Sequence, residues 1–262
     1  MLYDTHCHLN YHTDEELKDV ISRAKLAGLG YIMNAGAKIS DVRRAVDICS
    51  KFSDNEIKIF CGVANHPENS KENVVSSGEI INLARMSDNI KAIGETGLDT
   101  HIAENFDFID DQILSFEHHI EASLNLKLPL IVHTRGDFAV SKSIEMLEFY
   151  QKDGIRAVMH SYTDSVDNAK KLLDLGCFVS FSGIVTFKNA DNVRDVAHVV
   201  PIERMFVETD APFLAPTPMR GKTNETSFVK YTASYLSEFL KIDYKEFCEI
   251  TTQNAKNFFN HN

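Results

Sequence analysis

The sequence predicts an α/β fold, a single eight-stranded (β/α)8 barrel of the TIM type. Three observations predict it. Short apolar runs alternate with longer amphipathic segments from end to end, and eight such runs can be counted. The length, 262 residues, suits one barrel of about 250 residues and one domain spanning residues 1–262. Histidines and carboxylates follow directly on several of the apolar runs, and in a barrel the carboxyl ends of the strands form one rim.

The first run, Met1–Thr5, precedes a helical pattern at Asp14–Leu26. That pattern opens on Thr13-Asp14-Glu15-Glu16, a capping hydroxyl with carboxylates in the first turn. Tyr31–Asn34 is the second run, and Ser40-Asp41 opens the helical pattern Asp41–Phe52 behind it. The third and fourth runs are Ile57–Val63 and Ile90–Ile93, the latter followed by a long pattern at Phe108–Leu126. Leu130–Val132, Ala157–Met159, Cys177–Ser180 and Met205–Val207 complete the set. Helical patterns at Ser141–Tyr150, Val166–Leu175 and Val193–Val199 separate them, and two more, near Ser227–Leu240 and Tyr244–Phe259, close the chain. Gly28, Gly154 and Gly176 stand where helices should end. This alternation predicts a parallel sheet with right-handed crossovers; a doubly wound open sheet is the rival. The Pro-rich segment Ala211–Pro218 reads as a loop over the barrel mouth.

Apolar content of 44% and charged content of 25% are ordinary globular values. The formal net charge of −11 makes a poor non-specific binder of duplex nucleic acid. A nucleic-acid substrate would need local contacts or metal ions to supply positive charge. The cysteines, Cys7, Cys49, Cys61, Cys177 and Cys248, are odd in number and lack zinc-ribbon spacing, so they read as reduced packing residues. No basic leader and no run of 18 apolar residues stands in the sequence, so the expectation is a cytoplasmic protein with no membrane partner.

The chemistry begins at Asp4-Thr5-His6-Cys7-His8. Residues i and i+2 of a strand share a face, so His6 and His8 aim at one point while Cys7 points away. Two neutral imidazoles are half the ligand set of a divalent metal. Further candidates stand at the ends of later runs. Glu95 follows Ala92-Ile93-Gly94, His133 follows Leu130-Ile131-Val132, His160 follows Ala157-Val158-Met159, and Asp210 comes soon after Met205-Phe206-Val207. Six N and O ligands around one mouth suit two divalent ions sharing a bridging carboxylate. Alone, a histidine after a buried strand is more often a hydrogen-bonded structural residue, and Glu95 reads as a solvated carboxylate in a turn. The glycines flanking Glu95 also allow a close backbone approach to a metal centre. His12, His101, His118, His119, His198 and His261 lack the strand-end context and are read as non-ligands. Asp4 and Glu208, each two residues before a candidate ligand, are either acceptors that orient an imidazole or barrel-lining hydrogen-bonding groups.

Taken together, these segments resemble the TatD-type metal-dependent deoxyribonucleases, a branch of the amidohydrolase-like TIM barrels. The segments are Asp4-Thr5-His6-Cys7-His8-Leu9, Ile93-Gly94-Glu95-Thr96-Gly97-Leu98-Asp99, Leu128-Pro129-Leu130-Ile131-Val132-His133-Thr134-Arg135 and Met159-His160-Ser161. The series continues through Phe181–Ala190, Val207–Pro216, Arg220–Glu225 and Ile250–Ala255 and covers essentially the whole chain in order. The resemblance implies one or two divalent cations (Mg²⁺, Mn²⁺ or Zn²⁺) held by His6, His8, Glu95, His133, His160 and Asp210. It implies hydrolysis of DNA phosphodiesters, as a 3′–5′ exonuclease on single strands or DNA ends, with no obligate protein partner. Departures fall in the loops. Glu68 stands where the family often has a second histidine, His160-Ser161-Tyr162-Thr163-Asp164 replaces His-Cys-Phe-Ser-Gly, and Thr100-His101 replaces an aromatic pair. These touch substrate preference more than chemistry.

On this reading His6, His8, Asp210 and Glu95 hold one ion, and Glu95, His133 and His160 the second. Asp210 is the candidate general base for the attacking water. Arg135, Lys188, Arg220 and Lys222 are candidate phosphate clamps, and His66 a candidate substrate contact. Two rivals differ in class. One is an amidohydrolase or lactonase on the same barrel, although such enzymes often bridge their metals with a lysine-derived ligand where this chain offers Glu95. The other is a catalytically idle metal-binding scaffold.

Overall fold

The computed structural model describes residues 1–101 and 103–260, so His261 lies outside the described residues. Eight strands form one sheet: β1 (Leu2–Cys7), β2 (Leu29–Asn34), β3 (Lys58–Val63), β4 (Ile90–Asp99), β5 (Leu130–Arg135), β6 (Ala157–Met159), β7 (Phe178–Phe181) and β8 (Met205–Val207). Neighbours in space are neighbours in sequence, and all seven ladders are parallel. Sequential order excludes the doubly wound alternative, whose order reverses at a switch point. The β8–β1 seam closes without a full ladder. Asp210 N–H donates to His6 C=O at 2.9 Å, and His8 N–H donates to Ala211 C=O at 2.8 Å. The Thr5 hydroxyl adds a bond to Val207 C=O at 3.1 Å.

The helices are α1 (Asp14–Leu26), α2 (Val42–Phe52), α3 (Ser77–Ala84), α4 (Ala103–Phe106), α5 (Ile109–Leu126), α6 (Asp137–Phe149), α7 (Val166–Asp174), α8 (Asp191–Val199), α9 (Val229–Leu240) and α10 (Tyr244–Phe258). The expected start of α1 is a full capping box, with the Thr13 hydroxyl on Glu16 N–H and the Glu16 carboxylate on Thr13 N–H. Gly28, Gly154 and Gly176 take left-handed φ at the chain reversals expected of them. All five cysteines are buried and free. No helix among the described residues is long and apolar enough to cross a membrane.

Two apolar layers hold the barrel. Inside it, Tyr3, Met33, Ala92, Ile131, Val158 and Phe206 pack from six different strands. Outside it, the sheet packs on the helices through a larger buried cluster that includes Leu17, Ile48, Phe116, Leu172 and Leu236. Helix α10 and the residue after it plug the amino-terminal end. Phe258 and Phe259 lie 5.3 and 6.0 Å from the Phe206 ring, and Phe259 lies 5.9 Å from Tyr3. The opposite, carboxyl end is therefore the open face. Phe259 is fully buried, so Phe259→Ala should lower unfolding free energy by about 3–5 kcal/mol. Urea unfolding checks this, and an unchanged midpoint would show that the plug is not part of the core.

Three strands run further than the apolar runs suggest. β1 continues to Cys7, β5 to Arg135 and β4 to Asp99, so His6, Glu95 and His133 lie within strands rather than beyond them. Glu95 is thus not in a turn and not solvated, being only 4% exposed. Its flanking glycines both pack against β5, where a Cβ at Gly94 would meet Ile131. Gly97 has φ +138°, and a Cβ there would sit 2.1 Å from His133 C=O. The glycine lets β4 and β5 close up, which is what draws Glu95 and His133 together.

Candidate metal centre on the barrel rim

The Glu95 carboxylate occupies the middle of the mouth with one oxygen turned to each of two donor groups. Its Oε2 lies 3.3 Å from His6 Nε2 and 3.5 Å from His8 Nε2. Those two nitrogens are 3.3 Å apart, and Asp210 Oδ1 lies 3.6 and 3.4 Å from them. A tetrahedral shell with bonds of about 2.0–2.2 Å puts its donors about 3.3–3.6 Å apart. The His6, His8 and Glu95 atoms therefore have the spacing of donors around one divalent ion, with Asp210 beside both imidazoles. On the other side, Glu95 Oε1 lies 2.9 Å from both His133 Nδ1 and His160 Nε2, which are 3.3 Å apart. His66 Nε2 joins this second group at 3.4 Å from the same oxygen. The sequence offered His66 as a substrate contact; its position makes it equally a fourth donor.

Backbone geometry places these groups. His6 on β1 and His8 one residue past its end point the same way, as the i, i+2 rule predicts, with Cys7 buried in the core behind them. Asp210 adopts φ +57°, a left-handed conformation that Asp tolerates better than most residues, and this turns its carboxylate back over β1. Asn224 fixes that loop by donating to Thr209 C=O at 2.8 Å and Phe213 C=O at 2.5 Å. The segment 220–225 carries the candidate clamps Arg220 and Lys222, yet its buried asparagine does the positioning.

The imidazoles are aimed by carboxylates behind them. His133 Nε2 lies 3.1 Å from Asp99 Oδ2, and His160 Nδ1 lies 3.1 Å from Glu208 Oε1. Each contact leaves the other ring nitrogen to face the site. The His6 and His160 rings stack at 4.0 Å, so the two donor groups share one packed unit. His6 Nδ1 and Glu208 Oε2 are buried without hydrogen-bond partners among the described residues. Atoms of His6, His160 and Glu208 lie within 4.8 Å of one another, so a small turn of Glu208 would orient both imidazoles. Asp4 does not orient an imidazole. Its carboxylate accepts from Thr209 N–H at 2.9 Å and the Thr209 hydroxyl at 2.6 Å, stitching β1 to the loop after β8. Complete burial pushes the Asp4 carboxyl up to about 7 despite those bonds.

Of the other histidines, His119 is structural. It is buried, accepts Asn65 N–H at 3.0 Å, and burial lowers its pKa to about 4. Around the mouth, Arg135, Lys188 and Lys222 are exposed. Arg220 is engaged, with its guanidinium 3.9 Å over the Phe187 ring and a bond to Ala215 C=O at 3.3 Å.

Electrostatics in the metal-free protein follow from this crowding. Burial would raise Glu95, but the imidazoles of His160, His66 and His6 hold it well below the usual carboxylate range. Asp210 is depressed for the same reason, by His8 first among its partners. Burial would lower His8, His133 and His160, yet Asp210, Asp99 and Glu95 respectively overcome it and raise all three. Protonation of these three histidines thus stabilises the metal-free fold below their unfolded pKa of about 6.5, and that stability is lost as pH rises through the raised values. A metal requires neutral imidazole and competes with those protons. Added Mn²⁺ or Zn²⁺ should therefore raise Tm more at pH 8 than at pH 6. Equal increments in differential scanning fluorimetry would show that these histidines are not displaced by metal.

Comparison with known proteins settles the family. The description "TatD related DNase" matches residues 3–260. This chain belongs to that family. It is 33% identical over its whole length to the uncharacterized metal-dependent hydrolase YabD of Bacillus subtilis, all of which is covered. It is 34% identical to the uncharacterized metal-dependent hydrolase YcfH of Escherichia coli, with 98% of this chain and 95% of that protein aligned. The crystal structure of YjjV, a TatD homologue from E. coli, superposes with a TM-score of 0.90 at 22% identity, covering 100% of this chain and 98% of that one. The chain is a metal-dependent hydrolase of the TatD family, built on a barrel as expected.

Proposed function

We propose that the rim cluster is a dinuclear centre that hydrolyses DNA phosphodiesters, removing nucleotides from the 3′ end of single strands. The observation that carries the reading is the two-sided Glu95 carboxylate, with His6 and His8 on one oxygen, Asp210 beside those two imidazoles, and His133 and His160 on the other oxygen. The family description supports DNA as the substrate. Bound divalent ions would polarise a phosphoryl oxygen and lower the pKa of water, which offsets the repulsion of anion by anion. Asp210 holds the attacking water and takes its proton; its depressed pKa keeps it ionised at neutral pH. Asp99 and Glu208 keep the ligating rings in one tautomer. Arg135, Lys188 and Lys222 meet the phosphates beyond the scissile one. Four histidines favour Zn²⁺ or another transition ion, the carboxylates Mg²⁺ or Mn²⁺.

A panel comparing single-stranded DNA with simple lactones and anilides tests this, with each metal added in turn. Turnover of DNA alone supports the nuclease. Turnover of a lactone or amide alone transfers the centre to the rival chemistry.

A further inference from the structure

Six aromatic side chains are substantially exposed among the described residues: Tyr11, Phe106, Phe138, Phe149, Phe213 and Tyr244. Phe149 ends α6 and Tyr244 begins α10. The other four follow the carboxyl ends of β1, β4, β5 and β8, and they meet as two edge-to-face pairs. Tyr11 and Phe213 have ring centroids 5.9 Å apart, and Phe106 and Phe138 5.3 Å apart. The β8–β1 and β4–β5 seams lie on opposite sides of an eight-stranded barrel, so the pairs flank the metal centre.

The Tyr11–Phe213 pair adjoins the first donor group directly. The His8 ring sits edge-on to both, at 5.9 Å from Tyr11 and 6.3 Å from Phe213. Both rings are exposed, 64% and 50%, yet their backbones are pinned. Leu9 N–H donates to Asn34 Oδ1 at 2.9 Å and Asn34 holds Asn10 at 2.9 Å, which fixes the turn carrying Tyr11. Asn224 grips Phe213 C=O. A large ring held in solvent beside a metal centre is a preformed contact surface, and aromatic faces take nucleobases by stacking. Charge points the same way. At a net −11 the protein as a whole gains little from phosphate attraction, so non-ionic contacts add affinity beside the few local cations and the metal site.

We propose that Tyr11 and Phe213 form a stacking subsite for the unpaired nucleobase next to the scissile phosphate, with Phe106 and Phe138 receiving a base on the far side. The proposal rests on the nuclease reading. Every base has a π-face, so the subsite is tolerant of sequence and intolerant of pairing. A duplex end must fray before it can be cut.

The test is kinetics on a single-stranded oligonucleotide and on its match carrying abasic residues at both ends. The double variant Tyr11→Ala/Phe213→Ala should lose about ten- to a hundredfold in kcat/KM on the intact strand, mainly through KM. On the abasic strand it should differ from wild type by no more than about twofold, because the partner of the rings is already gone. Tyr11→Phe, which keeps a ring, should recover most of the loss of Tyr11→Ala. In stopped-flow mixing, terminal 2-aminopurine should be quenched by wild type and not by the double variant. An equal loss on both strands, or no loss on the intact one, overturns the subsite while leaving the nuclease standing. A metallated wild type that cuts neither strand overturns both.

Discussion

Glu95→Ala is expected to reduce kcat/KM by about a thousandfold or more, since it removes a charge that both halves of the centre share. One carboxylate touches His6, His8, His66, His133 and His160 within 3.5 Å. Its loss leaves the imidazoles without their shared counter-charge. Bound metal, measured by elemental analysis after dialysis, should fall from two equivalents to one or fewer. Glu95→Gln keeps the shape but offers one good acceptor, so it should retain some metal and little activity. Two retained ions with near-normal turnover in Glu95→Ala would show that the bridge lies elsewhere.

Asp210→Asn should lower kcat by about a hundred- to ten-thousandfold with the fold intact, the range of a lost general base. The amide preserves size and can still face His6 and His8, but it cannot take a proton. Asn also tolerates the left-handed φ of this position, so thermal unfolding should be almost unchanged. The depressed Asp210 pKa places its own titration well below neutrality. Loss of activity on acidification should therefore track protonation of the raised histidines and metal release instead. Near-normal turnover in the variant would remove Asp210 from proton transfer.

Much of the centre was legible because it obeys local periodicity. His6 and His8 meet through the two-residue period of a strand, and His133 and His160 announce themselves by ending apolar runs. β4 was less legible. Its second half, Gly94–Asp99, carries two glycines, a threonine and two acids, a composition of turns, and it is strand only because neighbouring strands and imidazoles bury it. Asp99 was missed for that reason, although it lies on the face of Glu95 four residues on. The spacing of Asp4 from His6 suggests an orienter of an imidazole, but its partner, Thr209, is 205 residues away and no local pattern reports it. The same holds for Asn224 on the Phe213 loop and for the aromatic plug after α10. These are tertiary contacts between polar or aromatic residues of ordinary local context, set by barrel closure.

The most direct test of the central claim is a time course on an end-labelled single-stranded DNA oligonucleotide, wild type beside Asp210→Asn, with Mg²⁺ or Mn²⁺ and with chelator. The account predicts a ladder shortening from the 3′ end in metal-loaded wild type, and none in the variant or with chelator. An intact oligonucleotide with fully metallated wild type would contradict it.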